Sequence, residues 1–313
     1  MGETLTDGAP TLAQLTAHVA AALGGAALGG AALGGADARR EAEALLGAAL
    51  AIGRATLLAH PERRIGGEAL ARVRDWTARR TRGEPLAYLA GMREFWSLPF
   101  TVTPDVLVPR PETEELVRCA LALGDGFGSR GDGSGAPGRV PAVADLGTGS
   151  GCVALAIASE RAHWRICATD ASPAALAVAR GNARALGLAH VEFLEGSWYE
   201  PLAGRFFDLI VSNPPYVAAD DAALDDPALR HEPRLALTPG HDALAALRRI
   251  VDGAAAHLRP GGALVLEHGA DQARAVAALL VARGFAHVRC APDLAGHDRV
   301  TCGILPSATT GPP

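Results

Sequence analysis

The sequence predicts an α/β protein: a doubly wound, seven-stranded Rossmann-like domain preceded by a small helical domain and a β-hairpin linker. Three observations point there. From Val140 onward, short apolar and β-branched runs alternate with helical patterns, as in stacked βαβ units. The glycine-rich stretch LGTGSG (146–151) follows the first such run and opens a helical pattern. Residues 11 to about 90 instead carry Ala, Leu and Arg with apolar positions at helical spacing.

At 313 residues and 49% hydrophobic composition, the chain is long enough for two domains with a substantial core. A net charge of −5 supplies no global attraction to nucleic acid. Five cysteines (Cys119, Cys152, Cys167, Cys290, Cys302) show no CxxC spacing, and the histidines show no HExxH. That pattern argues against a zinc site or a disulfide framework and suits a reducing compartment. No run approaches the ~20 apolar residues of a membrane span. The start, MGETLTDGAP, has no basic n-region, so a soluble cytoplasmic protein is expected.

Residues 1–92 read as a small helical domain. Leu12, Leu15 and Val19 can share one helix face, as can Leu45, Leu46 and Leu50. Within it, AALGG repeats at 21–25, 26–30 and 31–35. Each glycine weakens a helix by roughly 1 kcal/mol, so this low-complexity stretch is expected to be mobile or frayed. Residues 93–110 form the linker, with a hairpin in EFWSLPFTVTPDVLV (94–108). The domain at 111–305 opens with a helix near Glu112, whose Glu112, Glu114 and Glu115 suit the positive end of the helix dipole. GDGFGSRGDGSGAPGR (124–139) reads as a flexible surface loop. Strands are expected at 140–146, 164–170, 190–195, 206–211, 263–269, 287–292 and 299–305. The tail, 306–313, reads as disordered.

Gly147, Gly149 and Gly151 lie between the first strand and its helix, where glycine lets backbone turn tightly against a ligand. The spacing is GxGxG, and Cys152 stands where a dinucleotide fingerprint needs glycine. With Asp145 just upstream, that favours a nucleoside without a pyrophosphate over a bare βα turn. Asp170 ends the second strand and can either accept both ribose hydroxyls or cap the helix starting near Pro173; a Ser172 cap there would free Asp170 for the ligand, the reading favoured by its place in the fold. Trp198, after the third strand, can pack on an adenine edge or belong to the core.

The fourth strand exits through NPPY (213–216). The Asn213 side-chain carbonyl and the Pro214 carbonyl are two acceptors held stiffly by Pro214 and Pro215. Together they suit a planar NH2 group, and Tyr216 offers a face on which its carrier can stack. Such a nitrogen needs an activated electrophile. S-adenosylmethionine carries one, a sulfonium methyl, on an adenosine that the upstream residues can hold. The implied reaction is methyl transfer to an amide or exocyclic amine nitrogen.

Taken together, GEPLAYLAG (83–91), REFWSLPFTVTPDVLVPRPETEELV (93–117), DLGTGSGCVALAIA (145–158), GSWYEPL (196–202), VSNPPYV (211–217), HEPRLAL (231–237), LEHG (266–269) and DRVTCG (298–303) resemble class I methyltransferases of the (D/N)PPY type. More narrowly, they resemble the release-factor glutamine N5-methyltransferase family (PrmC/HemK). NPPY is shared with adenine-N6 methyltransferases, whereas VPRPETEEL is much more specific to the glutamine enzymes. The resemblance implies S-adenosylmethionine as donor and the GGQ glutamine of peptide chain release factors as acceptor, a step of translation termination. It places Gly147, Thr148, Gly149, Ser150, Gly151, Asp170 and Trp198 on the cofactor. It places Asn213, Pro214, Pro215 and Tyr216 on the substrate, with Asn213 also near the cofactor; Asn213, Pro214 and Tyr216 are the catalytic candidates. The expected partners are release factors, with no stable nucleic acid, no membrane and a monomeric chain. The alternative is an adenine-N6 or guanine-N2 nucleic-acid methyltransferase. Ser197 stands where the family commonly has an acid. Arg110, Glu112, Glu114, His231, Glu232, Arg234, Glu267 and His268 are given no catalytic role.

Overall fold

The computed structural model describes residues 8–28, 31–32, 34–128 and 139–307. The chain groups into two compact units: Met1–Gly91 with Asp221–His231, and Met92–Asp220 with Glu232–Pro313.

In the first unit, α1 (Leu12–Gly24) opens on a capping box. Thr11 Oγ1 accepts from the Gln14 N–H at 3.2 Å, and Gln14 Oε1 accepts from the Thr11 N–H at 2.9 Å. Two short strands follow, β1 (Ala27–Leu28) and β2 (Ala31–Ala32), then α2 (Gly35–Leu50), α3 (Arg54–Ala59), α4 (Gly67–Arg80) and α5 (Leu86–Ala90). The stripe Leu12, Leu15, Val19 and Leu23 meets Leu45, Leu46, Leu57 and Val73 in one apolar core. The AALGG repeat, expected to be mobile or frayed, is helical through Gly24. Its first copy completes α1, because Leu23 continues the buried stripe. The next two contribute β1 and β2, which pair antiparallel; residues 29, 30 and 33 lie outside the described residues. Segment 221–231, read from sequence as part of the second domain, groups with this unit. Pro227 sits so close to Gly83 that a Cβ there would meet it at 2.5 Å, and Gly83 has φ +97° besides.

The second unit begins with a hairpin, β3 (Met92–Phe95) and β4 (Leu98–Thr101). Its two-residue turn places Trp96 and Ser97 at φ 53° and 57°, the left-handed geometry that suits strand twist but costs a bulky residue energy. Glu114 Oε1 holds the turn by accepting the Trp96 N–H at 2.9 Å, and Glu160 Oε1 accepts the indole N–H at 2.8 Å. A 3-10 turn, Pro111–Thr113, leads into α6 (Glu114–Gly128). Residues 124–128, expected to begin a flexible loop, are therefore helical. Gly124 carries no side chain because the buried Trp164 ring occupies the space a Cβ would need. Residues 129–138 and 308–313, expected to be flexible or disordered, lie outside the described residues.

The remaining elements are β5 (Ala142–Leu146), α7 (Cys152–Glu160), β6 (Arg165–Asp170), α8 (Pro173–Ala185), β7 (Glu192–Glu195), β8 (Phe207–Ser212), α9 (Arg234–Leu237), α10 (Ala245–Ala254), β9 (Leu258–Glu267), α11 (Ala273–Ala282), β10 (Ala286–Pro292) and β11 (Asp298–Ile304). One seven-stranded sheet results, in the order β10-β11-β9-β8-β5-β6-β7. The pairs from β9 to β7 are parallel, and β11 is antiparallel to both its neighbours. Apolar clusters cover both faces: Leu116, Val153, Ile157 and Leu176 lie in one, and Leu247, Ile250, Val276 and Leu280 in the other. This is the doubly wound α/β architecture the sequence predicts. β9 starts at Leu258 rather than Ala263, running through Pro260, Gly261 and Gly262.

Replacing Gly124 by Val gains little helix propensity and drives a branched side chain into Trp164. The expected cost is about 1–3 kcal/mol of overpacking, read as a lowered midpoint in urea unfolding. An unchanged midpoint would show that α6 and Trp164 pack less tightly than described.

Candidate active site

In the sheet, the chain moves outward from β5 through β6 to β7, then returns to form β8 on the other side of β5. Ligands in open α/β sheets bind at the carboxyl ends of the strands flanking such a reversal. Leu146 and Ser212 are register partners, and Ser212 Oγ donates to the Leu146 carbonyl at 2.6 Å. Gly147 and Asn213 therefore leave the sheet side by side.

The glycine loop is held from three directions. The N–H groups of Gly147 and Thr148 both donate to the Thr169 carbonyl, at 2.9 and 3.0 Å. Thr148 Oγ1 donates to Asp145 Oδ2 at 2.6 Å. The buried Asn182 on α8 donates from Nδ2 to the carbonyls of Ser150 (2.9 Å) and Thr101 (3.0 Å) and accepts the Thr101 N–H at Oδ1 (2.8 Å). One amide thus fastens the loop to the hairpin. Gly147 has φ +73°, and a Cβ there would meet the Trp198 ring at 3.2 Å. Among the described residues, Ser150 Oγ is buried without a well-formed hydrogen bond, and its near neighbour is the Cys152 thiol.

Asp170, at the end of β6, accepts the Gly149 N–H at Oδ2 (2.8 Å) and the Ser172 N–H at Oδ1 (2.9 Å). Each carboxylate oxygen keeps acceptor capacity beyond these bonds. Burial pushes the Asp170 carboxyl up, and the backbone donors offset part of the rise. Ser172 caps α8 by accepting the Ala175 N–H at 3.1 Å. Burial also pushes the Cys152 thiol up to about 12, which suits a structural thiol and not a nucleophile.

A cavity of about 740 Å³ opens at this rim. Among the sequence-predicted residues, its walls bring together Gly147, Thr148, Gly149, Ser150, Asp170, Trp198, Asn213 and Pro215. Gly151, Pro214 and Tyr216 stand behind them. Gly151 packs against Ala179 and Leu155, and Pro214 is buried. Tyr216 packs on the apolar core, donates its hydroxyl to Glu267 Oε1 at 3.4 Å and receives Gln272 Nε2 on its carbonyl at 2.9 Å. Its ring face is not on the cavity wall. Ser197 does line the cavity, as do Thr113 and Leu235, which sequence reading did not single out. Leu235 is 81% exposed at this edge. Asn213 Nδ2 donates to Thr113 Oγ1 at 3.1 Å. Among the described residues, no donor is paired with Asn213 Oδ1.

Of the residues given no catalytic role, Arg110, Glu232 and His268 fall into structural pairings. Glu232, 4% exposed, accepts Arg110 Nη2 at Oε1 (2.5 Å) and the Val108 N–H at Oε2 (3.0 Å). His268 bridges the Gly269 carbonyl (2.8 Å) and Thr301 Oγ1 (2.7 Å), and burial pushes its imidazole down. Among the described residues, no group of three or more His, Cys, Asp or Glu side chains could hold a metal ion. No described helix is long and apolar enough to cross a membrane.

Asp145, 1% exposed, carries the clearest electrostatic signature of the loop. Burial raises its carboxyl to about 7, against the Thr148 hydroxyl and the Ala154 N–H. The unfolded chain ionises it near ~4, so between these values the folded state binds the extra proton and stability falls as pH rises. Asp145→Asn removes that term. Its melting temperature should therefore decline less than that of the parent from pH 4 to pH 8; parallel curves would refute the assignment.

The comparisons with known proteins agree with this geometry. Residues 137–227 match the model of the methyltransferase small domain, and residues 26–91 match that of the PrmC N-terminal domain. The release factor glutamine methyltransferase of Xylella fastidiosa is 50% identical over 268 residues, covering 86% of this chain and 94% of that protein. The protein of the same name from Burkholderia pseudomallei is 49% identical over 272 residues, covering 85% of this chain and 92% of its own length. Among solved structures, a methyltransferase from Pyrococcus furiosus matches 74% of this chain and 99% of its own, at 17% identity and a TM-score of 0.50, a likeness of fold. The chain belongs to the release factor glutamine methyltransferase family.

Proposed function

We propose that this protein transfers a methyl group from S-adenosylmethionine to the side-chain amide nitrogen (N5) of the glutamine in the GGQ motif of peptide chain release factors. The relatives' names favour this acceptor over an adenine-N6 or guanine-N2 amine. The observation that carries the chemistry is the Asn213 amide, whose nitrogen is engaged by Thr113 while its oxygen has no partner beside the glycine loop.

The residues present fit the cofactor. The loop at 147–151 approaches without side-chain bulk at Gly147 and Gly149, and the buried Ser150 Oγ, beside the weakly bonding Cys152 thiol, can take a stronger partner from a ligand. Asp170 and Trp198 both line the cavity, which supports a role for the carboxylate as acceptor of ribose hydroxyls and for the indole as the adenine's boundary. Ser197, in place of the family's usual acid, lines the same wall. When bound, S-adenosylmethionine supplies an electrophilic methyl group, and its transfer leaves a neutral thioether.

On the substrate side, Asn213 Oδ1 and the Pro214 carbonyl accept the two N–H bonds of the glutamine amide. Accepting both places negative charge on a nitrogen whose lone pair is otherwise delocalised into its carbonyl. Pro214 and Pro215 fix φ and stiffen the backbone that carries the Pro214 carbonyl, while the bond from Asn213 Nδ2 to Thr113 holds the other acceptor. Holding the nitrogen in line can contribute up to ~7–11 kcal/mol of barrier lowering. The methylated nitrogen is acidic enough to lose its second proton to water, so no strong base is required. Leu235 offers the incoming loop an apolar edge.

Asn213→Ala should lower turnover by about ten- to a thousandfold while changing cofactor affinity less. The assay pairs radiolabelled S-adenosylmethionine with a release factor, with the same factor lacking its GGQ glutamine, and with unmethylated DNA and RNA. Label that follows the glutamine supports the proposal. Label on nucleic acid alone would move the same clamp to a base amine.

A further inference from the structure

A side-chain amide presents a donor at one end and an acceptor at the other, and a half-turn about its terminal bond exchanges them. The clamp works only with the acceptor outward, so Asn213 needs an orienting partner. Its Nδ2 donates to Thr113 Oγ1 at 3.1 Å. A threonine hydroxyl that accepts this bond still has one proton to give.

Behind Thr113 stands Glu267. Ser212 and Leu266 are register partners, so Glu267 comes one residue later, beside Asn213, at the ends of neighbouring parallel strands. It is 1% exposed. Its Oε1 accepts from the Tyr216 hydroxyl at 3.4 Å, and Oε2 is buried without a satisfied hydrogen bond. Against the effect of burial, the Thr113 hydroxyl is the strongest favourable influence on the ionised carboxyl. Glu267 does not line the cavity.

We propose that Glu267 is a positioning residue: through the Thr113 hydroxyl it fixes the polarity of the Asn213 amide and so keeps the clamp an acceptor for NH2. The proposal rests on the role given above to Asn213. An ionised carboxylate can only accept, so the proton Thr113 has left to give is the one that can turn to the unpaired Oε2. Thr113 Oγ1 must then accept from Asn213, which turns Nδ2 inward and Oδ1 toward the substrate. A protonated carboxyl can instead donate. The chain then runs the other way, the amide turns over, and an NH2 group faces the substrate's own.

Burial raises the Glu267 carboxyl to about 7, so both forms are accessible near neutrality. The groups facing it are Thr113 and Glu112 on the 3-10 turn, Tyr216 beyond β8, Cys152 at the start of α7 and Arg299 on β11. Arg299 favours the ionised form and Glu112 opposes it. The sign follows: turnover is highest above about pH 7, where Glu267 is ionised, and declines as the carboxyl takes up its proton.

The test uses the full chain with S-adenosylmethionine and a release factor. Glu267→Gln keeps the volume but can donate or accept, so it loses the imposed direction. Thr113→Val keeps the volume but removes the hydroxyl. Each should lower kcat by about tenfold or more, as expected for a buried amide left misdirected or unpaired, with KM for S-adenosylmethionine within about twofold. Thr113→Ser should recover most of the loss. Glu267→Gln should also flatten the decline of kcat below pH 7, and the double variant should be no slower than Thr113→Val alone. Additive losses, an unaltered pH profile in Glu267→Gln, or parental kcat in Thr113→Val would each overturn the proposal. If Asn213→Ala abolishes turnover in the same assay while these variants act as the parent does, only the positioning role fails. Parental turnover in Asn213→Ala would remove the clamp and this proposal together.

Discussion

The parallel pairing of β5 with β8 is the constraint on which the site depends. Both strands are buried along their whole length, so side chains rather than solvent satisfy the polar groups at their ends. At the amino end, Asp208 Oδ2 accepts the Ala142 N–H at 2.9 Å and Arg259 Nη1 at 3.0 Å, and Arg139 closes on its other oxygen. A buried carboxylate without such partners would be strongly destabilising. At the carboxyl end, Ser212 Oγ reaches the Leu146 carbonyl. These two staples fix a register in which a one-residue slip would turn every side chain of β8 to the other face and move Asn213 by about 3.3 Å relative to Gly147.

From that fixed pair, the rest of the site is fastened by side chains binding backbone across long separations. Asn182 binds Ser150 and Thr101, Thr169 Oγ1 binds the Trp198 carbonyl at 3.0 Å, and Glu232 binds Arg110 and Val108. The bond to Trp198 matters because that residue sits at φ 52°, unfavourable for a bulky side chain. Such bonds orient dipoles before a substrate arrives, which is where most electrostatic catalysis originates. They also explain a wall that combines apolar surface with a few converging polar atoms.

What was legible in the sequence was what the local chain must do by itself. Glycines at positive φ, an acid at a strand end and two prolines after an asparagine are demands of backbone geometry, and they appear as motifs. The strands read well because their apolar runs were bounded by turn residues. Thr113 could not be found this way. Its partner Asn213 lies 100 positions away, and a threonine after Pro-Glu carries no signal of that contact. Glu267 was visible as an acid at a strand end, but the pairing of β8 with β9 was needed to set it beside Asn213. Gly124 and Leu23 failed for the same reason in the opposite direction. Their glycine-rich surroundings argued for flexibility, while the Trp164 ring and the α1 stripe decided otherwise. The placement of 221–231 is likewise a tertiary fact that no local pattern announced.

A clamp for planar NH2 does not by itself distinguish a glutamine from an adenine, since both present two N–H bonds in a plane. The discrimination must therefore lie in what frames the clamp. Among the described residues, the cavity mouth includes Leu235, on the segment that follows Glu232. The polypeptide leaves the second unit at Asp221, contributes eleven residues to the helical unit, and re-enters at Glu232. The point of re-entry is pinned by a buried carboxylate on Arg110 and the Val108 backbone, within the same PRPETEE neighbourhood that supplies Thr113. The apolar Leu235 edge follows three residues later. One short stretch before α6 thus holds both the Asn213 amide and the start of the segment beside the cavity mouth. A substitution there would disturb acceptor chemistry and acceptor choice together, whereas changes in the glycine loop would act on the cofactor side. The two proposed binding functions are separable because they hang from different strands of the same parallel pair: one from the exit of β5, the other from the exit of β8.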